Sequence, residues 1–180
     1  MKNLSSRHIL IGCALCSVFA LAGCAMEPRR NYIAQTGDAE LQLRSVGMPM
    51  NVVYSISTSE VACEGFENTG AVRDSGEKVL LPWIVKMSSA LNRVPTTLDT
   101  WAPANTTIQV KGYSSWQGNM GRSSCGPVTK KFTTRAGGKY KVEFLWEGVR
   151  RCSMQVSDLS TDPPAPIDSE TLDCHPAGVF

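Results

Sequence analysis

Histidine is nearly absent from this 180-residue chain, which has only His8 and His175. A Ser-His or Cys-His nucleophile would have to depend on one of them. His175 lies between Cys174 and Pro176 near the end of the chain, where no rigid scaffold orients an imidazole. It is read as a surface residue, and no enzyme is expected. Carboxylates are scattered, and none pairs visibly across a cleft as glycoside hydrolysis requires; Glu143 and Glu147 read as an outward strand position and a turn. An excess of one charge is also missing, with 18 basic against 16 acidic residues and no basic block longer than pairs such as Lys130-Lys131. That balance supplies no field for nucleic acid, which is not expected as a partner. Long apolar runs are lacking too: the longest, Ile9 to Ala22, is about 14 residues, where a spanning helix needs roughly 20. Gly137-Gly138-Lys139 is no phosphate loop, because Thr133 stands where its first glycine belongs and Tyr140 where magnesium would need Ser or Thr.

What is present begins at the N-terminus. Lys2 and Arg7 precede the uncharged apolar run, the order of a signal peptide's n- and h-regions. The run closes on Leu21-Ala22-Gly23-Cys24, which resembles the lipobox of bacterial lipoproteins. The resemblance implies cleavage after Gly23 and a mature chain starting at Cys24, with diacylglyceryl and palmitate acylation holding it to a membrane. Ala25, where Asp would favour retention, implies outer-membrane sorting, most simply to the periplasmic face. Cys13-Ala-Leu-Cys16 falls inside the discarded leader and is given no role. Without Lys2 and Arg7 the basic count falls to 16 and equals the acidic count.

The expected organisation is a signal peptide over 1–23, a lipidated flexible tether over 24–37, a sandwich domain over 38–160 and a Pro-rich tail over 161–180. The tether, with Pro28, Arg29 and Arg30 and no apolar periodicity, could reach roughly 40 Å if extended. Alternation at Leu41, Leu43 and Val46, and again at Val52, Tyr54 and Ile56, predicts two strands. Residues 61–73 are weakly β, with Gly65 and Gly70 suggesting a bulge. Pro82 opens one short helix over Pro82 to Leu91, with Trp83 and Met87 on its buried side, and Val94-Pro95 ends it. Ile108 and Val110 mark a strand. The Gly- and Ser-rich segment from Ser114 to Gly126 is expected to be a mobile surface loop. A strand ending at Phe132, the alternation Tyr140, Val142, Phe144 and Trp146, and that of Cys152, Met154 and Val156 predict a three-stranded antiparallel meander.

The sum is a mainly β chain: an antiparallel β-sandwich with one short helix. The order Cys63-Glu-Gly-Phe66, Leu81-Pro-Trp-Ile84, Cys125-Gly-Pro127 and Gly138-Lys-Tyr140 through Cys152 resembles small envelope lipoproteins with immunoglobulin-like or transthyretin-like sandwiches. That resemblance implies a fold and no activity.

Export places Cys63, Cys125, Cys152 and Cys174 in an oxidising compartment, where two disulfides are expected. Two pairings fit the pattern: Cys63 with Cys152 and Cys125 with Cys174, or Cys63 with Cys125 and Cys152 with Cys174. These single, scattered cysteines lack zinc-ligand spacing, so neither metal nor other cofactor is expected. Trp83 and Trp146 fit core positions, which leaves Trp116, and after it Trp101, as candidate ligand-binding residues. The function expected is a non-enzymatic, membrane-anchored envelope lipoprotein that binds an envelope protein or supports an assembly. The alternative is a glycan or peptidoglycan binder using its exposed tryptophans. Cys24→Ser is expected to abolish acylation and leave the leader uncleaved by the lipoprotein peptidase; mass spectrometry of the N-terminal peptide reads both.

Overall fold

The computed structural model describes residues 27–74, 80–91, 93–118, 121–148 and 151–174. The leader, Cys24 and His175 lie outside them. The chain is mainly β, with two facing sheets and one short helix. In order, the elements are β1 (Ala39–Val46), β2 (Asn51–Ser57), β3 (Glu67–Arg73), α1 (Pro82–Leu91), β4 (Thr97–Ala102), β5 (Thr107–Gly118), β6 (Gly121–Thr133), β7 (Lys139–Trp146), β8 (Cys152–Asp158), β9 (Ala165–Pro166) and β10 (Glu170–Leu172). One sheet runs β4-β1-β7-β8-β9 and the other β10-β6-β5-β2-β3. Every pairing is antiparallel except that of β1 with β7, which is parallel.

The core follows from the period of two. Leu41 and Leu43 of β1, Tyr140, Val142 and Phe144 of β7, and Met154 and Val156 of β8 face inward from the first sheet. Val52, Tyr54 and Ile56 of β2, Ile108 and Val110 of β5, and Cys125 and Phe132 of β6 meet them from the second. Each of these side chains contributes about 1.5–3 kcal/mol when fully buried, before the entropy of ordering is set against it. The Tyr54 hydroxyl, inside this layer, donates to the Arg44 carbonyl at 2.6 Å and so joins the sheets. Gln109 is also wholly buried, and its amide is satisfied: it donates to the Ser59 and Val61 carbonyls and accepts from the Cys63 amide. That pins the loop between β2 and β3. A bulge at Thr69 sits in the weakly β region, opposite Tyr54 and Ser55.

Several expectations are corrected. The described residues from Ser114 to Gly126, 114–118 and 121–126, are not a mobile loop but lie in the paired strands of the β5–β6 hairpin. Its polar composition concealed a packing role: a Cβ added at Gly112 would lie 2.7 Å from the Met154 side chain and 2.8 Å from the Phe144 ring. Small inward residues on this hairpin accept large ones from the opposite sheet, and Ser114 and Cys125 are fully buried there. The three-stranded meander is also wrong. β7 and β8 do pair, but β6 belongs to the other sheet, so the Ala136-Gly-Gly138 turn crosses between sheets. Thr134 ties that crossover down, donating from its hydroxyl to the Pro103 carbonyl at 2.6 Å.

The helix has the expected bounds but not the expected packing. Trp83 is 62% exposed and Met87 is exposed with it, because the helix leaves β3 and returns to β4 without laying that side on either sheet. The Pro-rich tail supplies an edge strand to each sheet, β9 and β10, where a missing amide hydrogen is tolerated. The tether is docked from Glu27 onward: the Glu27 carboxylate accepts from the Ser55 hydroxyl and pairs with Lys111, the Asn68 amide donates to the Pro28 carbonyl and the Arg30 amide to the Asn68 carbonyl.

The four cysteines are paired, but in neither expected arrangement. Cys63 bonds Cys174 and Cys125 bonds Cys152. Cys152 does face the core, yet its partner comes from the β5–β6 hairpin; Cys63 sits on a surface turn within reach of the tail. In the chain-entropy model a 27-residue separation contributes roughly 3.5 kcal/mol and a 111-residue one nearly 5. Non-reducing peptide mapping is expected to recover these two links. Replacing Cys125 and Cys152 together by Ala is expected to lower the unfolding free energy by about 3–4 kcal/mol in urea titration.

Candidate functional site

The two tryptophans singled out for binding have different fates. Trp116 is half-buried, its ring edge-on to Trp146 at 5.5 Å, and Trp146 meets Phe144 at 5.7 Å. Trp116 therefore caps the open end of the core, and the expectation of an exposed binding residue is corrected. Trp101 lies on β4 at the edge of its sheet and is 42% exposed. It stays available to a ligand.

A cleft of roughly 380 Å³ opens at one end of the sandwich, lined among others by Arg29, Arg30, Tyr32, Thr58, Glu67 and Pro103. It exists because residues 28–30 run parallel to the start of β3, with Arg29 bridged to Asn68. Pro28 has no amide hydrogen to leave unpaired, and its carbonyl is already taken. The next residues turn across to the other sheet. There the Asp38 carboxylate accepts from the Gln35 amide and the Tyr32 hydroxyl, both at 2.7 Å. The first of these bonds, with the second, holds Asp38 below the usual carboxylate range. Burial, together with the bond to Asp38, pushes the Tyr32 phenol up.

Arg30 is the centre of the arrangement. Its side chain is only 4% exposed. Nη1 donates to the Trp101 carbonyl at 2.6 Å and to Thr100 Oγ1 at 3.3 Å, Nε lies 3.9 Å from Glu67, and the guanidinium covers the Tyr32 ring at 4.6 Å. One side chain thus joins the edge strand of one sheet, β3, to that of the other, β4. Burial pushes its pKa below the ordinary arginine value while Glu67 and Tyr32 oppose the shift, and an arginine remains charged throughout. Nη2 is buried with no acceptor among the described residues. A charged donor enclosed without an acceptor offsets part of what the other Arg30 contacts contribute.

No family model matches the chain, and no curated protein matches it.

Among the described residues, no group of three His, Cys, Asp or Glu is placed to hold a metal ion, and no helix is long and apolar enough to cross a membrane. Arg29, Arg30 and Tyr32 were missed in the sequence because residues 24–37 read as tether. Two arginines and a tyrosine in sequence are nevertheless unlike a Gly/Ser linker, and that was the available signal. Arg30→Ala is expected to cost about 2 kcal/mol of stability, since it removes two hydrogen bonds and the stacking on Tyr32. Arg29→Ala, at an exposed position, should stay within about 0.5 kcal/mol; urea midpoints of the two variants check the contrast.

Proposed function

We propose that this chain is a bacterial lipoprotein, held by lipid on Cys24 at the periplasmic face of the outer membrane, whose sandwich is a non-catalytic binding module for an envelope protein. The membrane attachment rests on the leader and the lipobox. The binding reading rests on one observation: Arg29, Arg30 and Tyr32 line a single cleft, and Arg30 ties it to the backbone of β4 at Trp101, whose ring is exposed. Arg, Tyr and Trp are the residue types that dominate binding energy at protein interfaces. The exposed guanidinium of Arg29 suits a partner that presents a carboxylate or backbone carbonyl at the end of the sandwich. The likeness to small envelope lipoproteins with immunoglobulin-like or transthyretin-like sandwiches belongs to the same reading.

Glycan binding stands as the second reading, on the exposed ring of Trp101 alone, since Trp116 is occupied in packing. A photoreactive phenylalanine at position 101, in cells, separates the two. The protein reading expects a discrete cross-linked envelope protein whose yield falls at least about fivefold with Arg29→Glu or Tyr32→Ala. Retention on peptidoglycan sacculi that is lost with Trp101→Ala, without such an adduct, would establish the glycan reading instead.

A further inference from the structure

The exposed side of α1 has a composition of its own. Trp83, Met87 and Leu91 are four residues apart and fall on one stripe of the helix, and all three are exposed, Leu91 by 78%. Leu81, just before the helix, is exposed with them. From Lys78 to Leu98 there is no acidic residue, while Lys78, Lys86 and Arg93 are basic. Lys86 lies about 60° around the helix from Trp83, so its amine can stay at a polar boundary while its stem follows the apolar stripe.

We infer that α1 is a membrane-surface helix that lays Trp83, Met87 and Leu91 into the interface of an anionic phospholipid bilayer. A short amphipathic helix with Trp and Leu on one side and basic flanks is built for that interface. Charge complementarity selects lipid of negative charge, because nothing in this stretch would repel it. The placement of the N-terminal segment agrees. Arg29 pairs with β3 and Arg30 bonds β4, the two edge strands that α1 connects, so segment and helix lie on the same side of the sandwich. Glu27 is held by Ser55 of β2 and Lys111 of β5, and Cys24 is three residues from it, a reach of at most roughly 11 Å. The helix departs from the other end of β3, roughly 17 Å along the strand from Asn68. A flat bilayer touching this side would meet lipid at one end and helix at the other, fixing the sandwich on its edge. The inference rests on the lipoprotein reading for the first of these two attachments only.

The test uses the mature protein purified from membranes and reconstituted into vesicles of phosphatidylethanolamine and phosphatidylglycerol with brominated acyl chains. Tryptophan emission is expected to be quenched, and Trp83→Phe to remove at least about half of the quenching. Met87→Ser with Leu91→Ser, or phosphatidylcholine in place of the anionic lipid, should lower quenching on the order of fivefold while the protein stays vesicle-bound. Unquenched Trp83 in vesicle-bound protein overturns the inference. So does a Trp83-dependent dimer by light scattering, which would show that a second copy covers the stripe. The mass of the N-terminal peptide reports acylation separately. Should it carry no lipid, the same protein is added to the same vesicles, and Trp83 quenching then supports the helix reading while its absence overturns it.

Discussion

Two sheets facing each other at about 10 Å leave room for one interdigitated layer of side chains, and the large residues of one sheet must meet small ones on the other. Phe144 and Met154 stand where β5 carries Gly112, and no side chain larger than hydrogen fits at that point without displacing one of them. The long β5–β6 hairpin depends on this match. Its inward positions, Gly112, Ser114 and Cys125, bury too little apolar surface to hold it by themselves. The rings of Phe144 and Trp146 fill the space from the other side and meet Trp116 of β5 itself, and the Cys125–Cys152 bond crosses between β6 and β8 within it. A covalent link stands where aliphatic packing is thin.

A sandwich also has four edges, and unpaired edges invite association. Here they are treated unequally. The tail contributes the two-residue β9 and three-residue β10 as terminal strands, with Pro163, Pro164 and Pro166 around the first, so neither offers much template to another chain. The Cys63–Cys174 bond fastens this tail to the loop that Gln109 holds. On the other side, β3 is covered at one end by residues 28–30, and the buried Arg30 guanidinium ties that cover to β4. Edge protection and the cleft are therefore products of the same few residues.

The alternation in β1, β2, β7 and β8 was legible because inward residues there are large and apolar, and the helix bounds were legible because Pro82 and Pro95 punctuate them. Sheet membership was not. A turn such as Ala136-Gly-Gly138 reads alike whether it closes a hairpin or crosses between layers, so β6 was assigned to the wrong neighbour. The hairpin from Ser114 to Gly126 was hidden for a related reason: inward positions filled by glycine, serine and cysteine look like loop, and the residues that make them core lie elsewhere in the chain. Trp83 shows the converse error, since helical spacing names a face without saying that anything covers it. Arg30 could not be placed at all, because its burial is decided by Thr100 and Trp101, some 70 residues away.

Docking of the segment at Glu27 alters the geometry of the proposed anchor. A free tether over residues 24–37 would let the sandwich sit roughly 40 Å from the bilayer, whereas three residues allow at most roughly 11 Å. The cleft with Arg29 and Tyr32 is formed by the docked segment itself, so under the proposed anchor it would not move away from the lipid independently of that short link. Under the proposed anchor, a partner at Arg29 would approach close to the membrane surface, which would favour another membrane-attached protein over a freely diffusing one. The same proximity raises the effective concentration of α1 at the lipid interface, so a helix of only ten residues needs little intrinsic affinity to stay there.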